Sequence, residues 1–168
     1  MPVDTSAIRV LREETGAGIM DCKRALEESN GDLKKAQELL RDRGIAIAAK
    51  KASRVAKEGI VQAYVHSGNR IGAMVELNCE TDFVARTPEF RALAHDLAMQ
   101  IAAMSPVCIG DEETPVDLKD ASPQEAILLQ QTFIKDPSKT VQDLVNDVVA
   151  KVGENVKVRR FSRYVLGE

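Results

Sequence analysis

The spacing of apolar residues changes period twice along the chain. Over the first 44 residues it is helical. Ile8 and Leu11 share one face, Ala25 and Leu26 a second, and Leu33, Ala36, Leu39 and Leu40 a third. Three short helices are predicted. Asp4, Thr5 or Ser6 caps the first, Thr15-Gly16-Ala17-Gly18 breaks it, Asn30-Gly31 ends the second and Asp32 caps the third. Gly44, following Arg41 and Arg43, reads as the stop of the third. Residues 45–57 are rich in Ala and Lys and read as a helical linker. From Glu58 the period becomes two. Val61, Ala63 and Val65 form one strand face, Ser67-Gly68-Asn69 a turn, and Ile71, Ala73, Val75 and Leu77 a face of the next strand.

After Thr87-Pro88-Glu89, a hydroxyl cap followed by proline where its missing N–H is harmless, the helical period returns. Phe90, Leu93, Ala94, Leu97, Ala98 and Ile101 recur at i, i+3, i+4 spacing. The stretch from Ser105 to Pro123 holds Pro106, Gly110, Pro115 and Pro123 among acids and reads as an irregular connection, with a short strand at Val107 to Ile109. Glu125 to Phe133 reads as a short helix. Asp136 to Thr140 leads into another, with Val141, Leu144, Val145, Val148, Val149 and Val152 on one face and Gly153 at its end. Val156 to Val165 alternates as a last strand, and its arginines suit a sheet edge. The expected fold class is α+β: a helical unit over 1–44, a linker over 45–57, and a unit over 58–168 with an antiparallel sheet covered by helices.

Composition narrows the function. The 168 residues hold 44% apolar side chains, so a core forms, but with 4% aromatics and no Trp it is aliphatic. A net charge of −3 argues against direct nucleic-acid binding as the main task, because neutralising phosphates needs a basic surplus. Two basic clusters remain, Lys50 to Lys57 and Lys157 to Arg163; charge runs of this kind are mostly solvated faces. Cys22, Cys79 and Cys108 lack disulfide spacing, which suits a reducing cytosol. His66 and His95 do not pair with cysteines at metal-ligand spacing, so no metal and no cofactor is expected. Met1-Pro2-Val3-Asp4 is neither a secretory signal nor a transit peptide, and no apolar run reaches the ~20 residues of a membrane span. The expectation is a soluble, cytoplasmic protein.

No nucleophile elbow, activated thiolate or phosphate loop is present, so no enzyme is expected. The most informative segment is the crossover Asn78 to Arg86, Asn-Cys-Glu-Thr-Asp-Phe-Val-Ala-Arg. It carries two acids, Glu80 and Asp82, beside the bulky Phe83. Spacing leaves two readings of Phe83 open: a core side chain, or an apolar one displayed from a loop.

Three segments carry a resemblance. Glu76 to Arg86, Leu11 to Lys23 (Leu-Arg-Glu-Glu-Thr-Gly-Ala-Gly-Ile-Met-Asp-Cys-Lys), and Gly153-Glu154-Asn155-Val156 with Arg159-Arg160-Phe161 resemble signatures of the elongation factor Ts family. One departure is Ile19, where many members carry Met. The resemblance implies a small bundle similar to ubiquitin-associated domains at the N-terminus. It implies elongation factor Tu as partner and release of its GDP as the task. It assigns the disturbance of the partner's Mg²⁺ and phosphate site to Thr81, Asp82, Phe83 and Val84. Arg12, Ile19 and Met20, at the corner between the first two helices, become candidates for docking the N-terminal unit. Longer family members carry two core modules and this chain one, which implies a homodimer, with the last strand as the exposed surface. The alternative is a ubiquitin-associated-type adaptor without exchange activity.

Overall fold

The computed structural model describes residues 4–110 and 122–168. Helix α1 (Thr5–Thr15) starts where the Asp4 carboxylate accepts from the Ser6 N–H, and ends at Gly16 in the left-handed region. Helix α2 (Ile19–Glu28) follows, and α3 (Leu33–Lys51) begins where Asp32 accepts from the Lys35 N–H. Leu11, Cys22, Ala25, Leu26 and Ala36 bury a small core of their own. Leu33 does not join it. It sits in the exposed first turn of α3, against the expectation of an inward position.

Gly44 does not stop α3. The helix runs seven residues past it to Lys51, and Gly44 is buried near Ala150. A mid-helix glycine costs only about 1 kcal/mol relative to alanine, and contacts made by the last two turns of the helix offset that. Ala48 packs against the main core, and Lys51 Nζ donates to the Gly153 carbonyl at 2.6 Å. One turn before Gly44, Arg41 donates to both Asp143 oxygens at 3.0 and 3.1 Å. The helix that closes the bundle is thus also the strut that ties it to the rest of the chain.

Strands β1 (Glu58–Val65) and β2 (Ile71–Cys79) form the expected hairpin, and β5 (Lys157–Val165) pairs antiparallel with β2, giving the order β1-β2-β5. Ala73, Val75 and Leu77 face the core. The Val61, Ala63, Val65 face of β1 lies on the opposite, solvent side, while Ile60 and Tyr64 pack inward. Apolar alternation located this strand, but both its faces carry apolar residues, so it did not identify the buried face.

Helix α4 (Asp82–Ala85) is a single turn. Helix α5 (Pro88–Met104), capped by Thr87, lays Phe90, Leu93, Ala94, Leu97, Ala98 and Ile101 on the sheet. The expected helix over 125–133 divides into α6 (Pro123–Ala126), a 3-10 turn at Leu128–Gln130, and β3 (Thr132–Phe133), which pairs with β4 (Asp136–Thr140). The strand expected at 107–109 is one bridge, Cys108 to Ile127. Pro115 and the rest of 111–121 lie outside the described residues. Gln100 and Gln131, both fully buried, fix this segment: Gln100 Nε2 donates to Gln131 Oε1 at 3.2 Å, and Gln131 Nε2 to the Glu125 carbonyl at 2.6 Å. Helix α7 (Val141–Val152) starts with a Thr140–Asp143 capping box and ends at left-handed Gly153. The fold is α+β.

Candidate functional site

The turn α4 is capped by one hydroxyl. Thr81 Oγ1 accepts from the Val84 N–H, and the same oxygen donates to Glu154 Oε1 at 2.7 Å. Val84 and Ala85 face the core, so the turn is pinned from below. The neighbouring Phe83 points out and is 77% exposed. Of the two open readings, the structure selects the displayed side chain. Asp82 beside it pairs with Arg86 at 2.8 Å. Val84, at 9% exposure, belongs to the support of the turn rather than to its surface.

A lattice of charge-assisted bonds braces this turn from the far end of the chain. Glu154 Oε2 accepts from the N–H groups of Glu80 (3.1 Å) and Thr81 (3.0 Å). In return Glu80 Oε1 accepts from the Asn155 N–H at 2.7 Å. Asn155 Nδ2 donates to the carbonyls of Ala52 and Arg54, and the Arg54 guanidinium lies 3.7 Å from Glu80. Beneath the turn, burial pushes the Cys79 thiol up to about 11, helped by the nearby Glu154 charge, so it stays protonated at neutral pH. Glu154, Asn155 and Arg54 were not singled out by the chemistry of their types. The segment Gly153 to Val156 signalled the first two only as part of a pattern, without a role.

The second candidate region is the α1–α2 corner. Gly16, with φ of +65°, turns the chain, and an added Cβ would collide with Lys151 Nζ of α7. Thr15 Oγ1 donates to the Leu11 carbonyl (2.7 Å) and accepts from the Ala17 N–H. Ile19 and Met20 open α2 and stand out at 54% and 62% exposure, with Arg12 exposed nearby. The corner and the α4–α5 junction line one open cleft of about 1090 Å³, which Arg12, Gly16, Thr87, Glu89, Asp143 and Lys151 all border. Of the candidate residues, Arg12 and Val84 line this cleft; Ile19, Met20 and Phe83 do not, and show their apolar side chains to solvent at helix starts.

Among the described residues, no group of three or more His, Cys, Asp or Glu is arranged to hold a metal ion. No described helix is long and apolar enough to cross a membrane. Exposed apolar side chains of this kind are the sort of surface that a macromolecular partner covers. The family model for elongation factor TS matches residues 19–122. The chain is 48% identical to elongation factor Ts of Carboxydothermus hydrogenoformans, covering 99% of this chain and 90% of that one. It is 48% identical to that of Moorella thermoacetica, over 96% and 94%, and 47% identical to that of Thermotoga maritima, over 100% and 98%. The chain belongs to the elongation factor Ts family.

Proposed function

We propose that this chain binds elongation factor Tu and promotes release of its GDP, without a chemical step of its own. The observation that carries the reading is Phe83, held in solvent on a one-turn helix whose entry and first turn are held by three side-chain hydrogen bonds. Exposing a phenylalanine is unfavourable unless a partner covers it. An exchange factor must bind the nucleotide-free GTPase better than the GDP-bound one. By linkage, it then weakens GDP binding by the same factor. GDP and Mg²⁺ are held together by a phosphate loop and a few oxygen ligands, so an apolar wedge near that loop disturbs both. Phe83 is the wedge, and Asp82 is the acid placed beside it. Thr81 and Val84 act by holding the turn. Arg12, Ile19 and Met20 dock the bundle, which with its strut α3 forms one unit while the α+β core forms the other.

The test mixes the chain in catalytic amounts with elongation factor Tu carrying fluorescent GDP and measures release. Acceleration is expected. Binding without acceleration would replace this reading with that of an adaptor.

The working form in this reading is a homodimer. The support is the solvent face of the sheet, where Val61, Val65, Met74 and Tyr164 are exposed together. Contiguous apolar faces of this kind mark association sites. A clean monomer mass in sedimentation equilibrium at micromolar concentration would exclude it.

A further inference from the structure

We propose that Glu154 is the positioning residue of the exchange step: from the α7–β5 turn, its carboxylate fixes the backbone from which Phe83 projects. This rests on the reading of Phe83 as the wedge.

Phe83 is mostly in solvent, so packing does little to hold its position, and the backbone of α4 must. Four residues do not sustain a helix alone, because the first turn fixes several dihedrals for a single hydrogen bond. Something outside must hold the entry to the turn. Glu154 does so with three hydrogen bonds: the Glu80 and Thr81 N–H groups reach one oxygen, and the Thr81 hydroxyl reaches the other. By taking the hydroxyl proton into a hydrogen bond, the carboxylate leaves the Thr81 oxygen lone pairs to accept from the Val84 N–H, a long cap of 3.5 Å beside the Ala85 N–H to Thr81 carbonyl bond that closes α4. Bonds to an ionised acceptor are about twice as strong as neutral ones.

The mount behind Glu154 is rigid. Gly153 closes α7, whose Val145, Val148 and Val149 sit in the main core, and the Asn155 side chain ties the same turn to the segment between α3 and β1. Both Glu154 oxygens are already engaged by the loop, so its part is to hold Phe83 in place. In sites that depend on geometry, a misplacement of about 1 Å can cost about 10²-fold in rate.

The experiment measures release of fluorescent GDP from elongation factor Tu against the concentration of four full-length chains: wild type, F83A, E154A and the double variant. Each is checked by circular dichroism. Both single variants should lower the maximal rate by about tenfold or more, with half-saturation moving by less than about threefold. The double variant should be no slower than the slower single, because Glu154 acts only through the turn. E154Q keeps an oxygen for the N–H pair and should recover part of the rate.

A wild-type rate for F83A would overturn the reading of the loop itself. A slow F83A beside a wild-type E154A would overturn only the role of Glu154. So would a double variant whose loss is the product of the two singles. Should E154A fail to fold, T81V takes its place. It removes both the hydroxyl link to Glu154 and the acceptor for the Val84 N–H, keeps the backbone donors, and should slow release without adding to F83A. A wild-type maximal rate for T81V would then overturn the proposal.

Discussion

The Phe83 turn and the Ile19–Met20 corner both hold apolar side chains in solvent at the start of a helix, but they are held in different ways. The corner is built locally. Thr15, Gly16 and Ala17 bond within a few residues of one another, and the distant neighbour of Gly16 is Lys151. The Phe83 turn is built at long range, by Glu154 and Asn155 some seventy residues further along. Local construction suffices for a surface that contributes affinity, since such contacts tolerate small shifts. Long-range bracing suits a side chain whose placement in a partner's site must be accurate. In the proposed reading the corner serves binding and the turn serves release.

The largest test separates the two regions physically. Deleting residues 1–44 removes the corner, together with Arg41 and Gly44. Affinity for elongation factor Tu should fall by about 100-fold, or ~3 kcal/mol. The maximal release rate at saturating fragment should stay close to that of the full chain. Circular dichroism should show a folded core, because its cluster centres on the sheet, α5 and α7. An unfolded fragment would mean that α3 and the core are one cooperative unit, and the comparison would lose its second member.

The next test is Phe83→Ala. It should slow maximal release by about tenfold or more. The thermal midpoint should barely move, as befits an exposed site. Phe90, seven residues on and fully buried, is the internal control: truncating it should cost about 3–5 kcal/mol of stability. If the two variants melt alike, Phe83 is a core residue in solution and the turn displays nothing.

Met20→Ala should weaken affinity by about fivefold, roughly 1 kcal/mol, and leave the maximal rate alone. A fall in the rate instead would mean that the corner takes part in release.

Much of this was legible in the sequence. The strong helical period from Phe90 to Ile101 identified α5 and its buried face, because every residue on that stripe packs on the sheet. The capping residues Asp32, Thr87 and Thr140 were legible for a related reason: side-chain oxygens before a helix serve local N–H groups. What depends on distant partners was not legible. Gly44 looked like a stop, since nothing local shows that Ala150 and Gly153 lie alongside the residues around it. Val61 and Val65 gave the strand but not which side is buried, because Ile60 and Tyr64 offered a second apolar face. The buried pair Gln100 and Gln131 is invisible to a pattern that counts polar residues as exposed. Phe83 stayed ambiguous because what displays it is a glutamate at position 154.

The smallest effect expected lies in the strut that sets the distance between the two regions. Asp143 is largely buried, which by itself would push its carboxyl up. Hydrogen bonds from the Thr140 N–H and hydroxyl, and the charge of Arg41, outweigh that and hold it below the ordinary carboxylate value of 3.8. The folded state therefore binds fewer protons than the unfolded chain in the acid range. The resulting stability is whole above pH 3.8 and is lost as the pH falls below it, through the depressed folded value. Arg41 is more than half exposed, so solvent screens the pair, and Arg41→Gln should cost about 0.5–1 kcal/mol at pH 7. The difference between the two chains should shrink below pH 3.8, where Asp143 takes up its proton. Thermal melts of both chains from pH 7 to pH 3 measure it. If they melt together at pH 7, the ion pair contributes nothing. The spacing of the corner and the turn then rests on the packing of α3 against α7, and a bulky residue at Gly44, facing Ala150, becomes the substitution that moves one region relative to the other.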